Sequence, residues 1–400
     1  MSILSHRLSK IKPSPTLAIT QKARQLQVEG HDVISLSAGE PDFPTPDFVR
    51  TAAKKAIDEG FTKYTAVDGV ADLKKAIQQK FARENGLNYE TNQIIVSVGA
   101  KQVLYNALIA TLNPGDEVII PAPYWVSYVD MVTLGEGIPV IVSCSESEGF
   151  KITPEKLEAH ITPKTKWLIL NSPSNPSGAV YSEEELVEIG KVVARHSSLY
   201  VLSDDIYEHI LYTGKPYKTL AQVAPDCKER ILTVNGVSKS YAMTGWRIGY
   251  GAGDAQLIKA MANMQSQSTS NPCSIAQMAA LAALQGDQSF LQDRQQAFQK
   301  RRDFVTRRIN TIPGLSCSVP EGAFYVYVSC RDIMGKTLPN GKILATDSDL
   351  GDYFITQARV AVVQGEAFGL SPYFRISYAT DEETLGKALD RIEEALALLR

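Results

Sequence analysis

The stretch VNGVSKSYAMTGWRIGY, residues 234–250, decides how the rest of the chain is interpreted. An apolar run ends at Val234, and a second apolar run extends from Ile248 to Gly251. Short apolar runs bounded by turn residues are typical of buried strands. Lys239 therefore follows one predicted strand and Arg247 directly precedes the next, whereas most lysines occupy solvated surface positions. This placement makes both residues candidates for a functional site at the strand ends.

Similar apolar runs recur along the chain, with helical stretches between several of them. One of these helices is predicted to begin at Ser182, because Ser182 and Glu185 have the spacing of a capping box. Strands that alternate with helices predict a mostly parallel sheet covered on both faces, which is the α/β class. The predicted strands are Ile94 to Val98, Val118 to Ile120, Pro139 to Val142, Trp167 to Leu170, Tyr200 to Ser203, Ile231 to Val234 and Ile248 to Gly251.

The last third of the chain has a different pattern. A long charged helical stretch from Phe290 to Ile309 leads into a predicted strand at Phe324, and the chain ends in an amphipathic stretch from Asp381 to Arg400. We therefore expect a large domain at residues 46–295 and a smaller α+β domain at residues 296–400. Residues 1–45 are expected to form an N-terminal arm and part of the small domain.

The charge balance excludes several classes of partner. The 400 residues carry 41 Lys and Arg against 44 Asp and Glu, a formal net charge of −3, so no global basic field exists to hold nucleic acid or an anionic membrane. No run approaches the ~18 apolar residues of a membrane span, and the apolar region of a signal peptide is missing. The five cysteines include no CxxC pair. We expect a cytoplasmic protein without nucleic-acid or membrane partners.

Common metal and cofactor motifs fail on inspection. The five histidines are scattered without the spacing of metal ligands, so no metal is expected. The glycines Gly249, Gly251 and Gly253 lack the spacing of a dinucleotide-binding fingerprint, and the chain has no GxSxG motif of a serine hydrolase. The polar groups beside the predicted strand ends remain as the source of chemistry.

Four motifs in this chain resemble those of one enzyme family. Lys239 and Arg247 lie in GVSK followed by GWRIGY, similar to a motif of the form SxxK followed by GxRxGY, with Gly236 in place of the serine. Residues 171–178 read NSPSNPSG, similar to NPxNPTG. Residues 203–207 read SDDIY, and Arg375 follows Phe374 near the C-terminus. In order and spacing these motifs resemble the class I aminotransferases among the fold type I pyridoxal-phosphate (PLP) enzymes. The resemblance implies that fold: a mostly parallel seven-stranded sheet between helices, with a smaller α+β domain.

The resemblance assigns cofactor-binding roles to specific residues. Lys239 would carry PLP on its amine and move protons during catalysis. Asp204 would pair with the pyridinium nitrogen, and both Tyr207 and Asn175 would reach the phenolate oxygen. Trp125 would stack on the ring and help to bind substrate.

A second group of residues would hold the cofactor phosphate. It comprises Gly99, Ala100 and Lys101 at a predicted helix N-terminus, together with Arg247. Tyr64 would reach the phosphate of a neighbouring subunit, which implies a homodimer with composite sites. The family often has serine where this chain has Gly236, so Ser238 or a backbone group is expected to replace that contact.

The resemblance also assigns the substrate contacts. Arg375, Gly39 and Asn175 would bind the α-carboxylate of an amino acid. Many aspartate aminotransferases bind the distal carboxylate through a partner-subunit arginine, but the aligned stretch around Ser266 has no basic residue. The branch that this chain resembles would instead use the residues Lys12, Thr16, Lys101 and Ser266.

The implied function is a PLP-dependent transaminase that moves the amino group of L-aspartate to 2-oxoglutarate, with prephenate as a second substrate that would yield arogenate. Amino acids and 2-oxo acids are then the small-molecule partners. Two alternatives stay open at this point. The first is another PLP enzyme, such as an aminotransferase of different specificity or a β-lyase. The second is a catalytically silent ligand-sensing protein on the same scaffold.

Overall fold

The structure is a computed structural model that describes residues 3–11 and 13–400. Its strands fall into one large and two small sheets. In chain order the strands are β1 (Ile34–Ser35), β2 (Ile94–Val98), β3 (Glu117–Ala122), β4 (Ile138–Ser143), β5 (Thr165–Asn171), β6 (Tyr200–Asp204), β7 (Ile231–Gly236), β8 (Ile248–Ala252), β9 (Tyr325–Ser329), β10 (Val360–Ala361), β11 (Val363–Gln364) and β12 (Tyr373–Ser377).

Helices pack around these sheets. In chain order they are α1 (Pro15–Val28), α2 (Asp47–Asp58), α3 (Ala71–Asn85), α4 (Ala100–Thr111), α5 (Ser127–Leu134), α6 (Pro154–His160), α7 (Glu183–Arg195), α8 (Leu220–Val223), α9 (Ala255–Ser266), α10 (Ser274–Gln285), α11 (Phe290–Ile309), α12 (Asp347–Tyr353) and α13 (Glu382–Ala397). Both halves of the capping box predicted at Ser182 and Glu185 are formed at the start of α7. In the described residues, no helix combines the length and apolarity needed to cross a bilayer.

The large sheet contains all seven strands that the apolar runs predict. Its order is β2-β8-β7-β6-β5-β3-β4, and only β8 runs antiparallel to its neighbours. The runs are continuous because both faces of the sheet are buried: Ile94 and Val96 pack into one apolar core, and Ile95 between them packs into another. Because the other six strands run in one direction, their carboxyl ends meet at one edge of the sheet, where polar loop residues can converge.

A second, smaller region follows in the chain. The antiparallel strands β11, β12 and β9 form its sheet, and α11 and α13 share its apolar core. The N-terminal segment also contributes, because β1 pairs in parallel with β10. Residues 34–35 are thus joined by backbone hydrogen bonds to the smaller region, and the assignment of residues 1–45 stays a prediction.

The predicted domain boundary at residues 295/296 falls inside the continuous helix α11. The physical reason is that α11 serves two cores. Phe290 at its first turn packs against the core of the large sheet, whereas Phe298, Val305 and Ile309 lie in the core of the smaller region. A division of the chain at this point therefore cuts a helix and not a linker.

Candidate active site

A cavity of about 420 Å³ opens at the carboxyl edge of the large sheet, between the strand ends, α1 and the smaller region. Most of the residues singled out from the sequence meet there. The predicted residues that line it are Thr16, Gly39, Ala100, Lys101, Trp125, Asn175, Asp204, Tyr207, Lys239, Arg247 and Arg375. The motifs are far apart in the chain, and the sheet topology brings them together.

Lys239 lies in the loop after β7 and points its amine across the cavity. Its Nζ donates a hydrogen bond to the backbone oxygen of Gly39 at 2.5 Å. Burial lowers the pKa of Lys239 to about 8, against the opposing charge of Glu40. The backbone is also tightly packed at Gly39, because a Cβ there would lie 2.6 Å from the Tyr325 hydroxyl and one of the two would have to shift. The result is an amine that loses its proton far more readily than an exposed lysine.

Asp204 closes the floor of the cavity at the end of β6. Its side chain is buried, and Oδ2 accepts a hydrogen bond from the Tyr128 hydroxyl at 2.6 Å. Oδ1 has no hydrogen-bond partner among the described residues. Burial raises the pKa of Asp204 to about 6, although the Tyr128 hydrogen bond opposes this. A buried carboxylate oxygen without a partner is costly, so the site fits a ligand that brings a cationic N–H to it.

An anion-binding cradle lies at the start of α4. Gly99 caps this helix with a φ of 81°, and no side chain caps the free backbone N–H groups. The guanidinium of Arg247 packs so closely over Gly99 that a side chain at residue 99 would overlap it. Lys101 follows in the first turn, and burial together with the charge of Arg247 lowers its pKa. Free N–H groups and two cations suit a phosphate group.

The strand pairing beside this cradle leaves little room for a side chain at Gly236, where the resemblance expects serine. A Cβ at residue 236 would lie 3.0 Å from both the Cα of Gly249 and the backbone oxygen of Ile248. A side chain there would need the backbone of β8 to give way by a few tenths of an ångström. Ser238, two residues later, does line the cavity.

Arg375 forms the opposite wall of the cavity, on β12. It is buried, and its Nη1 donates to Asn175 Oδ1 at 2.8 Å while Nη2 donates to the backbone oxygen of Ser37 at 2.6 Å. Its Nε has no partner among the described residues. The hydrogen bond from Arg375 Nη1 orients the side-chain amide of Asn175, so its nitrogen points away from the guanidinium. The Tyr207 hydroxyl lies 2.9 Å from that of Tyr325.

The aromatic residue predicted to stack on a ring also lies at the cavity. Trp125 contacts Tyr128 edge to face, with ring centroids 5.3 Å apart. The Nζ of Lys101 lies 4.8 Å from the centroid of the Trp125 ring, a cation–π distance. One wall of the cavity is therefore a flat aromatic surface close to the anion-binding cradle.

Three of the predicted site residues are not among the described residues that line the cavity of this single chain. Tyr64 is 92% exposed and does not line the cavity, and Ser266 is exposed at the end of α9, where its hydroxyl donates to the backbone of Asn263. Both roles involve a second subunit and stay predictions. Lys12 lies outside the described residues.

The structure adds cavity residues that the sequence reasoning missed. Thr20 and Arg24 on α1 line the same cavity as Thr16. These three residues are four apart, so they share one face of a helix, and this periodicity could have identified them. Arg24 forms no hydrogen bond or ion pair with another described residue.

Comparison with known proteins gives this site a context. The profile of the family "Aminotransferase class I and II" matches residues 31–392. An "Aspartate/prephenate aminotransferase" of Cereibacter sphaeroides is 57% identical over 393 residues, which cover 98% of each chain. An "Aspartate aminotransferase" of Rhizobium meliloti is 56% identical over 389 residues, 97% of this chain and 95% of that one.

Solved structures agree with these relatives. The crystal structure of the aspartate aminotransferase from Rhizobium meliloti has a TM-score of 0.97 at 55% identity and covers 100% of both chains. The aspartate aminotransferase from Thermus thermophilus with maleate has a TM-score of 0.92 at 43% identity, and covers 99% of this chain and 100% of that one. The predicted fold, type I of the PLP-dependent transferases, is thereby confirmed. With this fold and a family match over nine-tenths of its length, the chain belongs to the class I and II aminotransferases.

Proposed function

We propose that this protein is a PLP-dependent transaminase that moves the amino group of L-aspartate to 2-oxoglutarate and also accepts prephenate. The observation that carries the proposal is the convergence of Lys239, Asp204 and Arg375 on one cavity, each with a buried polar atom directed into it or lacking a partner. The class I family depends on PLP and acts on amino and oxo acids. The names of the relatives favour aspartate and prephenate.

The residues around the cavity fit PLP. Asp204 Oδ1 lacks a partner where a pyridinium N–H is expected, the α4 N-terminus with Arg247 suits the phosphate, and Trp125 offers a ring face. When bound, PLP withdraws electrons from the Cα of an attached amino acid and so makes its proton acidic. Asp204, ionised above its pKa of about 6, would keep the ring nitrogen protonated.

Lys239 would take the proton from the substrate Cα and deliver it to the cofactor carbon. A general base works best when its pKa lies near the operating pH, and the lowered pKa of Lys239, about 8, meets this condition. The backbone oxygen of Gly39 holds the amine in place when substrate is absent.

Arg375 would bind the α-carboxylate of every substrate. A guanidinium can hold both oxygens of a carboxylate at once, and the hydrogen bonds to Asn175 and Ser37 fix the plane of the group beforehand. The adjacent Asn175 amide nitrogen is then free to donate to the ligand. This wall recognises amino acids as a class and does not choose among them.

The distal carboxylate would bind on the side of α1. Lys101, Thr16 and the unpaired Arg24 all line the cavity there. Cations close to hydroxyl donors suit a second carboxylate, which aspartate, 2-oxoglutarate and prephenate all carry. The Thermus thermophilus relative was solved with maleate, which is also a dicarboxylate.

We also propose that the active unit is a homodimer. Tyr64 is almost fully exposed for so large a side chain, and Phe61 and Ile57 beside it are exposed as well. A tyrosine that reaches the phosphate of a neighbouring subunit would lose this exposure in the dimer. Sedimentation of the purified protein would test the assembly state, and a stable monomer with full activity would contradict it.

The decisive experiment is the absorption spectrum of the protein with PLP, before and after L-aspartate is added alone. Wild type is expected to convert the cofactor to its amine form, and 2-oxoglutarate is expected to reverse the change. Lys239→Ala should abolish the conversion, whereas the exposed Lys215→Ala should not change it. Release of ammonia or CO₂ would indicate a lyase, and a spectrum that does not respond to aspartate would contradict the proposed substrate.

A further inference from the structure

A largely buried polar network, in which only Glu84 and His209 keep partial exposure, connects α3 to the loop that carries Lys239. We call it the bracing network. It consists of two arms that begin on α3 and reach the two flanks of the lysine. Its members are Lys80, Glu84, Glu208, His209, Asn235 and Ser240.

The first arm reaches the residue four positions before Lys239. Lys80 is fully buried and forms an ion pair with Glu208, which is also buried. Glu208 Oε1 accepts a hydrogen bond from Asn235 Nδ2 at 2.7 Å. The other side of the same amide, Asn235 Oδ1, accepts from the backbone N–H of Gly236 at 2.7 Å. This arm therefore fixes the end of β7, from which the lysine loop starts.

The second arm reaches the residue directly after Lys239. His209 Nε2 lies 2.9 Å from Glu84 Oε2, and His209 Nδ1 lies 3.0 Å from the hydroxyl of Ser240. The imidazole also contacts the Tyr241 ring edge to face, with centroids 6.2 Å apart. The imidazole is thus a rigid link between α3 and the lysine loop.

The cluster is not arranged as a metal site. Ligand atoms of Glu84, Glu208 and His209 all lie within 4.8 Å of one another, which a metal ion would tolerate. The ammonium of Lys80, however, pairs with Glu208 and lies 3.6 Å from Glu84. A cation already neutralises the two carboxylates, so a divalent ion would meet repulsion at this position.

Stability alone does not explain the burial of these charges. A buried ion pair is a weak stabiliser, because desolvation offsets the attraction, and replacement by apolar side chains is often neutral. Both carboxylates nevertheless stay ionised. Burial opposes this, but the His209 hydrogen bond and Lys80 lower the pKa of Glu84 to about 2, and Lys80 and His209 lower the pKa of Glu208. The two carboxylates therefore stay negatively charged at neutral pH although they lie largely out of contact with water.

The same network also fixes the other side of the cavity. Glu208 follows Tyr207 directly and lies four residues after Asp204. Residues 204–207 would offer a carboxylate and a hydroxyl to the cofactor ring, and the lysine loop would offer the amine. Both segments are connected to Glu208 or to its neighbour His209.

We propose that the bracing network is a positioning device that sets the place of the Lys239 amine relative to the Asp204–Tyr207 segment. This inference rests on the proposed function, since it concerns the proton transfer by Lys239. None of its six members lines the cavity, so they act through the backbone of the lysine loop and not on the substrate.

The test breaks the second arm, because it can be cut without leaving a buried charge unpaired. His209→Phe keeps a ring against Tyr241 and removes both hydrogen bonds. His209→Asn reaches about as far as Nδ1 and keeps the Ser240 link, whereas His209→Gln reaches about as far as Nε2 and keeps the Glu84 link. The matched control is His196→Phe, since His196 forms a similar 2.8 Å contact with Glu158 on α6, outside the cavity.

We expect His209→Phe to lower kcat about tenfold, less than the ~100-fold that a 1 Å misplacement can cost. KM for aspartate should stay within about twofold of wild type, because no binding residue changes. The isotope effect of α-deuterated aspartate on kcat should rise, since proton transfer becomes slower than the other steps. The pH midpoint of the visible absorption of the PLP-bound protein should also shift. His196→Phe should match wild type in all four measurements.

A purely structural role would give a different result. The melting temperature of the cofactor-free protein would fall, while kcat, the isotope effect and the pH midpoint stayed at wild-type values, and this would overturn the proposal. Equal activity of His209→Asn and wild type would also overturn it, because the arm must be continuous. If His209→Phe fails to fold, Ser240→Ala cuts the same link with the loss of one oxygen.

Failure of the proposed function is distinguishable from failure of this inference. A wild-type protein that binds PLP but does not respond to aspartate would contradict the proposed substrate. The pH midpoint of the visible absorption would still compare the Lys239 environment in wild type, His209→Phe and His196→Phe. Identical midpoints in the three proteins would then overturn the bracing role.

Discussion

The two walls of the cavity are built on different principles. The wall formed by the strand ends and β12 carries Asp204 and Arg375, both nearly inaccessible to solvent and hydrogen-bonded to other buried groups. The wall formed by α1 carries Thr16 and the exposed Arg24, which pairs with no described residue. Under the proposed function, the chemistry common to all substrates would fall to the first, rigid wall, and the choice among substrates to the second, exposed wall. Substitutions should reflect this division.

The largest effect should come from the rigid wall at Asp204. Asp204→Asn keeps the acceptor for Tyr128 but removes the charge beside the ring, and we expect kcat to fall about 1000-fold, the upper range for the loss of one preorganised electrostatic contact. Steady-state kinetics with aspartate measures the loss. The exposed Asp226→Asn is the control, and a loss below tenfold would contradict the role of Asp204.

The same substitution should stabilise the cofactor-free protein. The folded-state pKa of Asp204 is raised to about 6, so its ionised form is disfavoured by folding, and this cost is present above pH 6 and absent below about pH 4. Asp204→Asn should therefore raise the melting temperature at pH 8 and have little effect at pH 4. An increase of similar size at both pH values would mean that charge is not the cause.

The second effect concerns the pH dependence of the rate at which PLP attaches to Lys239. Only the neutral amine reacts with the cofactor aldehyde, and its lowered pKa predicts that the rate of PLP attachment rises with pH to a midpoint near 8. At pH 8 an ordinary lysine would be neutral over a hundredfold less often. Stopped-flow absorption on the cofactor-free protein gives the midpoint. A midpoint near that of an exposed lysine would show that the cavity does not change the amine.

A smaller loss is expected at Arg375. Arg375→Lys keeps the charge but replaces the planar two-point contact with a single one, and leaves Asn175 and Ser37 without their partner. We expect kcat/KM to fall about 100-fold for every amino acid substrate alike. Aspartate and L-alanine should be compared in parallel. A loss confined to aspartate would indicate that Arg375 binds the distal carboxylate and not the α-carboxylate.

The smallest and most selective effect should come from α1. Arg24→Gln should lower kcat/KM for aspartate and prephenate about tenfold, the value of one charge-assisted hydrogen bond at a partly exposed site, and leave L-alanine unchanged. Lys22→Gln is the matched control on the same helix, because Lys22 pairs with Asp352 at 2.8 Å and does not line the cavity. Equal losses in both variants would contradict the proposed contact between Arg24 and the substrate.

The sheet could be predicted from the sequence because its burial leaves a local trace. Ile94 to Val98 is apolar at nearly every position since it faces cores on both sides, and such a run is visible without any knowledge of its neighbours. Motif order identified Lys239, Asp204 and Arg375 for a similar reason. Asp204 and Arg375 lie within short strands, Lys239 lies in the loop after one, and each has neighbours with a recognisable spacing.

The missed residues depend on contacts between distant parts of the chain. Nothing near Lys80 in the sequence indicates that its partner Glu208 lies 128 positions later and fully inside the protein. The spacing of Arg24 places it on the same helix face as Thr16, but only the folded chain shows that this face borders the cavity. The continuity of α11 across the predicted boundary likewise depends on two cores that only the folded chain contains.

The parallel pairing of β1 with β10 has a consequence for synthesis on the ribosome. Ala23 on α1 packs with Val33, Ile355 and Ala361, so α1 rests in part on two residues, Ile355 and Ala361, that are translated more than 300 positions later. At ~5–20 residues per second the N-terminal segment waits on the order of 15 to 65 s for its partner strand. A nascent chain can therefore complete the large sheet, and the loop that carries Lys239, well before α1 gains its packing partners in the smaller region.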